Sequence, residues 1–389
     1  MRQSRTTIVT VATGGMAASM LPLYTISALG PYLVADLGLS RAALGAMVTA
    51  AFAVAAIASV IVGRAVDALG ARTGLALLFA VVSAALLTAS FAPKYVWLLS
   101  AIAVAGIAQA LANPATNVLI AKQVDQSQRA SAIGIKQSGV QLAAFACGVA
   151  MPALATAWGW RAGLRFAVLL PVVMLIVLVL WVPPTTASDP SGAWRRWSAP
   201  SHWLRWLMGY SLLLGTALAA VNTYLPLYAT QRLAMATTAA GAVLAAFGVS
   251  GLVARLWWTR IADHQAKVTA VLSYLSAGAA GCTLLVWIAA WTWPAVIWLG
   301  AVGIGATATA GNAVSMLAVV RRGEAAGHAS AMVSLGFFTG FVLGPASFGA
   351  LADALDYGPA WIAVAVLFGL SALVSIGIPE GRRLPPRTS

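Results

Sequence analysis

Two cations stand inside apolar segments of this 389-residue chain: Lys136, in SAIGIKQSGVQLAAF from Ser131, and Arg255, in AAFGVSGLVARLWW from Ala245. The nine acidic residues all fall at the ends of apolar runs or in the gaps between them. Neither cation therefore has a carboxylate at its own depth. A charge at the centre of a bilayer costs roughly 2.5–3.5 kcal/mol on insertion scales, so something must offset it. Unpaired cations facing a water-filled cavity attract an anion, and a visiting solute can complete the pair. The competing reading is interfacial. Lys136 lies five residues from the expected helix start and Arg255 eight from Asp263, so either stem could run outward to lipid headgroups.

Uncharged polar residues extend the candidate site. Gln109, Asn113 and Asn117 recur at i, i+4 and i+8, one stripe on a helical face. Gln137 and Gln141 accompany Lys136, and Asn312, Asn222 and Tyr24 lie in other apolar runs. Amides at membrane depth also serve as interhelical hydrogen bonds. Tyr32 and Tyr228, near run ends, read more readily as interfacial aromatics, as do Trp257 and Trp258. Pro114 is expected to bend its helix and free a carbonyl.

Other chemistries find no support. Cys147 and Cys282 sit singly in hydrophobic runs, with no disulfide or metal spacing. His202, His264 and His328 are scattered through expected gaps. There is no nucleophile–base pair or phosphate-binding glycine loop, so neither an enzyme nor a cofactor or metal is expected. The net charge of +14 is spread over the gaps between apolar runs rather than one face, which argues against nucleic acid.

The elements that hold these residues are membrane helices. The chain is 61% hydrophobic and 8% charged, far below the quarter of charged residues usual in soluble domains. Twelve apolar runs are each long enough to span a bilayer: about 8–29, 42–62, 74–92, 97–121, 131–155, 164–182, 206–229, 238–258, 268–291, 295–319, 329–352 and 361–379. The runs do not alternate as barrel strands would. The start resembles a leader peptide, but its run continues past any cleavage point and reads as a retained first span. A polar stretch over 183–205 divides the spans six and six. This predicts an amino-terminal bundle over 1–182, a cytoplasmic linker, and a carboxy-terminal bundle over 206–389 with a short tail.

With the amino terminus inside, sixteen of the 23 Lys and Arg residues fall on the inner side and five on the outer. Both termini are therefore expected in the cytoplasm. The halves also repeat. GIAQALANPATNVLIAKQV from Gly106 matches GATATAGNAVSMLAVVRR from Gly305, with Asn113 and Asn312 aligned. Two bundles related by a pseudo-twofold along the membrane normal follow, with a binding site between them near the midplane.

GRAVDALGART, from Gly63 to Thr73, resembles the signature loop of the major facilitator superfamily, G-x-x-x-D-x-x-G-R-[KR]. Gly63, Asp67 and Gly70 match, and Arg72 stands one position late. The second-half copy, TRIADHQAK, keeps Asp263 and Lys267 but not the glycines. The glycines are expected to permit a tight turn, and Asp67 to face a helix amino terminus or a cation such as Arg129, latching the cytoplasmic side. ANPATN (112–117) with RASAIGIKQSG (129–139) resembles the cyanate-permease-like branch, which includes small-anion and nitroaromatic porters. GFVLGPASFG from Gly340 resembles the antiporter glycine–proline motif but falls in the eleventh span, where close helix packing is the better reading. The resemblance implies an all-α fold of twelve helices. It also implies a secondary transporter working by alternating access in a bacterial-type inner membrane, monomeric, carrying a small, anionic solute with protons as candidate co-substrate. Export of lipophilic compounds is the alternative, disfavoured by the lack of a buried acid; a non-transporting receptor or scaffold is a distant third.

Overall fold

A computed structural model describes residues 5–183, 200–265, 267–322 and 326–379. Most of the expected linker, the final ten residues and the acidic Asp189, Glu324 and Glu380 lie outside this description. The described chain is helical, with no strand: α1 (Arg5–Leu37), α2 (Arg41–Leu69), α3 (Ala71–Ser90), α4 (Tyr95–Gln123), α5 (Arg129–Gln137), α6 (Gly139–Trp158), α7 (Trp160–Ala167), α8 (Leu169–Trp181), α9 (His202–Gln231), α10 (Thr237–His264), α11 (Val268–Ile288), α12 (Val296–Arg322), α13 (Ala326–Leu355) and α14 (Tyr357–Ile376). They form twelve segments long and apolar enough to cross a membrane, because α5–α6 and α7–α8 are each one span broken in the middle.

Burial separates the helices by role. In α1 the most apolar window is 78% buried, whereas in the sixth span, Trp160–Trp181, it is 28%. Leu169, Val173, Ile176, Val179, Leu180 and Trp181 turn outward there. A soluble surface does not tolerate such a continuous apolar face, but hydrocarbon does.

The packing partners repeat between the halves. In the first, α1 packs on α6, α2 and α3 on α4, and α3 on α8; in the second, α9 packs on α13, α10 and α11 on α12, and α11 on α14. The seam between the halves obeys the same rule. It joins α2 to α13, α6 to α10, and α1 to α9, so first-half spans two and five meet second-half spans eleven and eight. This is the pattern of a pseudo-twofold axis.

The signature stretch differs from its expected form. It is not a loop: α2 runs helically through Gly63 and Asp67 to Leu69. The chain turns only at Gly70, whose φ of 85° suits a residue without Cβ. The Gly70 N–H closes α2 by donating to the Val66 carbonyl, and α3 begins at the next residue. The fifth span is likewise not continuous. It breaks at Ser138, whose N–H goes three residues back to Ile135 O, placing Lys136 and Gln137 at the end of α5. The histidines are on helices rather than in gaps: His202 opens α9, His264 closes α10 and His328 lies in α13.

Candidate functional site

Lys136 does not reach the membrane surface. Its side chain is fully buried and turns onto α4. Its Nζ donates to Asn117 Oδ1 at 2.6 Å, Thr116 Oγ1 at 2.7 Å and Asn113 Oδ1 at 3.4 Å. An ammonium has three hydrogens and no acceptor, so all three are used, and every partner is neutral. These bonds satisfy the donors and leave the charge uncompensated. Gln137, next in sequence, sends Nε2 to the same Asn113 oxygen at 3.3 Å. With two donors on Oδ1, the Asn113 amide orientation is fixed and its NH2 end turns away from α5.

Arg255 comes from the other half. Its Nη1 donates to Gln137 O at 3.2 Å and its Nη2 to Thr309 O at 3.4 Å. Gln137 is the last residue of α5, where carbonyls are least committed to the helix; Thr309 O accepts from within the unbroken α12. The Arg255 Nε is buried without a partner. One turn before Arg255, Gly251 lets Gln141 and Thr309 approach: a Cβ there would stand 3.2 Å from Gln141 Cγ and 3.0 Å from Thr309 Oγ1. Gln141 and Asn312 each carry a buried oxygen with no hydrogen-bond partner. Tyr24, on α1, lies within electrostatic reach of Arg255.

Lys136, Asn113, Asn117, Gln137, Gln141 and Arg255 thus form one hub where α4, α5, α6, α10 and α12 meet, with Asn312 a turn along α12 from Thr309. Gln109 and Asn222 stand apart from it. Gln109 lines an apolar cleft with Met20, Leu23, Val48, Phe52 and Ile102. Asn222 sits where α1 crosses α9, its carbonyl accepting from the Ser27 hydroxyl. Of the gating residues, Arg72 donates to Val179 O at 2.8 Å and Arg129 to Val124 O at 3.0 Å, both within α1–α8. The side-chain surroundings of Asp67 lie outside the described residues.

The contacts found across the seam begin at the end remote from the termini. There Asp353 on α13 accepts from the N–H groups of Arg41 at 3.1 Å and Ala42 at 2.8 Å, capping α2. In return Arg41 donates to Ala352 O at the end of α13. The Tyr32 hydroxyl stands 2.6 Å from the Thr237 hydroxyl across the seam and 3.0 Å from Pro152 O, its one proton going to either, so it seals the seam rather than marking an interface. Tyr228 is also no belt residue: it is buried against Tyr357 and Trp361, donating to Val286 O. Further along α2 and α13, Thr49 donates to Val342 O and Phe52 packs on Phe341.

Thr116, Thr309 and the Arg41–Asp353 pair escaped the sequence reading. Thr116 had a usable signal, since it widens the Asn113–Asn117 stripe at i+3. Thr309 contributes a carbonyl, which carries no sequence signal.

Two repeated six-span halves enclosing a polar, positively charged hub define a solute transporter fold. The family model described as "Major Facilitator Superfamily" matches residues 11–335, and the chain belongs to that superfamily. No curated protein matches the sequence. Among solved structures it is similar to a variant of the nucleoside transporter NupG, with 14% identity, TM-score 0.77 and coverage of 96% of this chain and 100% of that one. It is also similar to a D-xylose–proton symporter, with 17% identity, TM-score 0.78 and coverage of 95% and 96%. A third is a bacterial homologue of the human lysosomal transporter Spinster, with 15% identity, TM-score 0.77 and coverage of 96% of each.

Proposed function

We propose that the chain moves a small organic or inorganic anion across a bacterial-type inner membrane by alternating access, as a monomer. The single observation that carries this is the pairing of both intramembrane cations, among the described residues, with neutral oxygens only. Hydrogen bonds to a charged group contribute about 1.5–3 kcal/mol each, enough to hold Lys136 in place, but they do not cancel its field. The two cations divide the work. Lys136 sets the potential and orients Asn113 and Asn117. Arg255, with donors to spare, makes the direct contact, joined by Tyr24, Gln137 and Gln141.

The excess of Lys and Arg around the termini supports a cytoplasmic placement for them. With that placement, the described contacts of Arg41, Asp353 and Tyr32 would hold the outer side shut, and alternating access would expose the hub to each side in turn. Gly63, Asp67, Gly70, Arg72 and Arg129 would latch that side in the opposite state. The branch resemblance in residues 112–117 and 129–139 agrees with a small anion. Protons remain a candidate co-substrate, carried by the solute or by Lys136.

A thermal-shift screen of the purified protein against small carboxylates, cyanate and neutral controls tests this. Anions are expected to raise the melting temperature, and the effect to vanish in Lys136→Ala and Arg255→Ala. The apolar cleft at Gln109 favours a second reading, export of lipophilic compounds. Stabilisation by neutral or cationic lipophiles alone would put that reading first.

A further inference from the structure

We infer that the solute held at Arg255 carries, beside its acidic group, a hydroxyl or N–H donor, which makes it a small hydroxy- or amido-carboxylate rather than a bare anion. This rests on the anion reading above and deepens it. Around Arg255 the unmet hydrogen-bonding needs are of both kinds. Arg255 Nε is a donor without an acceptor, while Gln141 Oε1 and Asn312 Oδ1 are acceptors without donors. Gln141 is only 3% exposed and lies against Gly251, the glycine that Thr309 also faces. The Thr309 hydroxyl cannot serve it, because its proton is directed to Gly305 O at 2.7 Å, with Gly251 O at 3.3 Å as the alternative.

A bare anion would satisfy Arg255 and set more electron density opposite the amide oxygens. A carboxylate flanked by a hydroxyl meets both needs at once. Water can serve such groups while a site is empty, and a solute that expels it must return a donor or lose affinity. Sites built to bond a hydroxyl discriminate against analogues lacking it far more strongly than sites that sense one methylene.

The test uses the full-length protein in detergent and matched acids that differ by one hydroxyl: glycolate and acetate, lactate and propionate, malate and succinate. Affinity is read by calorimetry. In at least one pair the hydroxylated acid is expected to bind about tenfold tighter or more. Gln141→Leu should weaken the hydroxylated acid several-fold more than its deoxy partner, so that most of the advantage is lost; Asn312→Leu is the second probe should the first not fold. Equal binding within every pair, still abolished by Arg255→Ala, overturns this inference and leaves the anion reading standing. Failure of every acid to bind overturns both.

Discussion

At the scale of single residues, the arrangement around Lys136 makes a prediction that separates satisfying a donor from balancing a charge. Asn117→Leu takes one acceptor from a buried ammonium and should cost about 1–3 kcal/mol, seen as a melting temperature lower by several degrees. The double change Lys136→Met with Asn117→Leu should recover most of that loss, because replacing both partners of a buried polar pair by apolar groups is often nearly neutral. Additive losses would mean that Lys136 is held by something other than these oxygens. The residue types of the hub were legible in the sequence: an intramembrane lysine without an acid, and amides at helical spacing. Their assignment to one another was not. Asn113 and Asn117 turn to Lys136 while Gln109, on the same stripe, turns to an apolar cleft, a distinction set by the neighbouring helix rather than by spacing.

At the scale of elements, α6 and α10 touch through glycine. A Cβ on Gly148 would stand 2.5 Å from Gly241 O and 2.6 Å from Ala245 N, so a side chain there forces the helices apart. Gly241→Val should likewise wedge open the half of the seam remote from the termini, the outer half under the proposed topology. The reporter is Ser27→Cys, buried where α1 crosses α9, in a chain with Cys147 and Cys282 changed to serine. Labelling by a membrane-impermeant maleimide is expected to rise several-fold in the wedged protein; unchanged labelling would show that the seam does not depend on this approach. Element existence was readable because twenty-residue apolar runs are an unambiguous signal. The breaks were not. Ser138 interrupts its span without a proline, and the signature stretch remains helical to Leu69 because nothing before Gly70 compels a turn.

At the scale of the whole molecule, the seal at the end remote from the termini, the outer end under the proposed topology, rests on unequal charges. The Arg41–Asp356 pair is 3.4 Å apart with half of the Asp356 side chain exposed, and such pairs contribute little. Asp353 caps two backbone N–H groups across the two halves, a role worth about 1 kcal/mol. Under alternating access, Asp353→Ala should therefore shift the population toward the state open at that end by about fivefold, whereas Asp356→Ala leaves it nearly unchanged. Electron–electron distance measurements between spin labels at the outer ends of α2 and α13 would read the difference, and equal effects of the two changes would refute this account. The division into repeated halves was visible in the aligned Asn113 and Asn312. The seal was not, because Asp353 and Arg41 are 312 residues apart and each looks like an ordinary charge at a span end.

That reciprocal capping bears on how little force the machine needs. When α2 and α13 part, the orphaned amide hydrogens and carbonyl oxygens emerge into bulk solvent, which offers each a replacement bond of comparable strength. Opening would then be close to an even exchange, so that under the proposed alternating access the modest binding energy of a small solute would suffice to tip it.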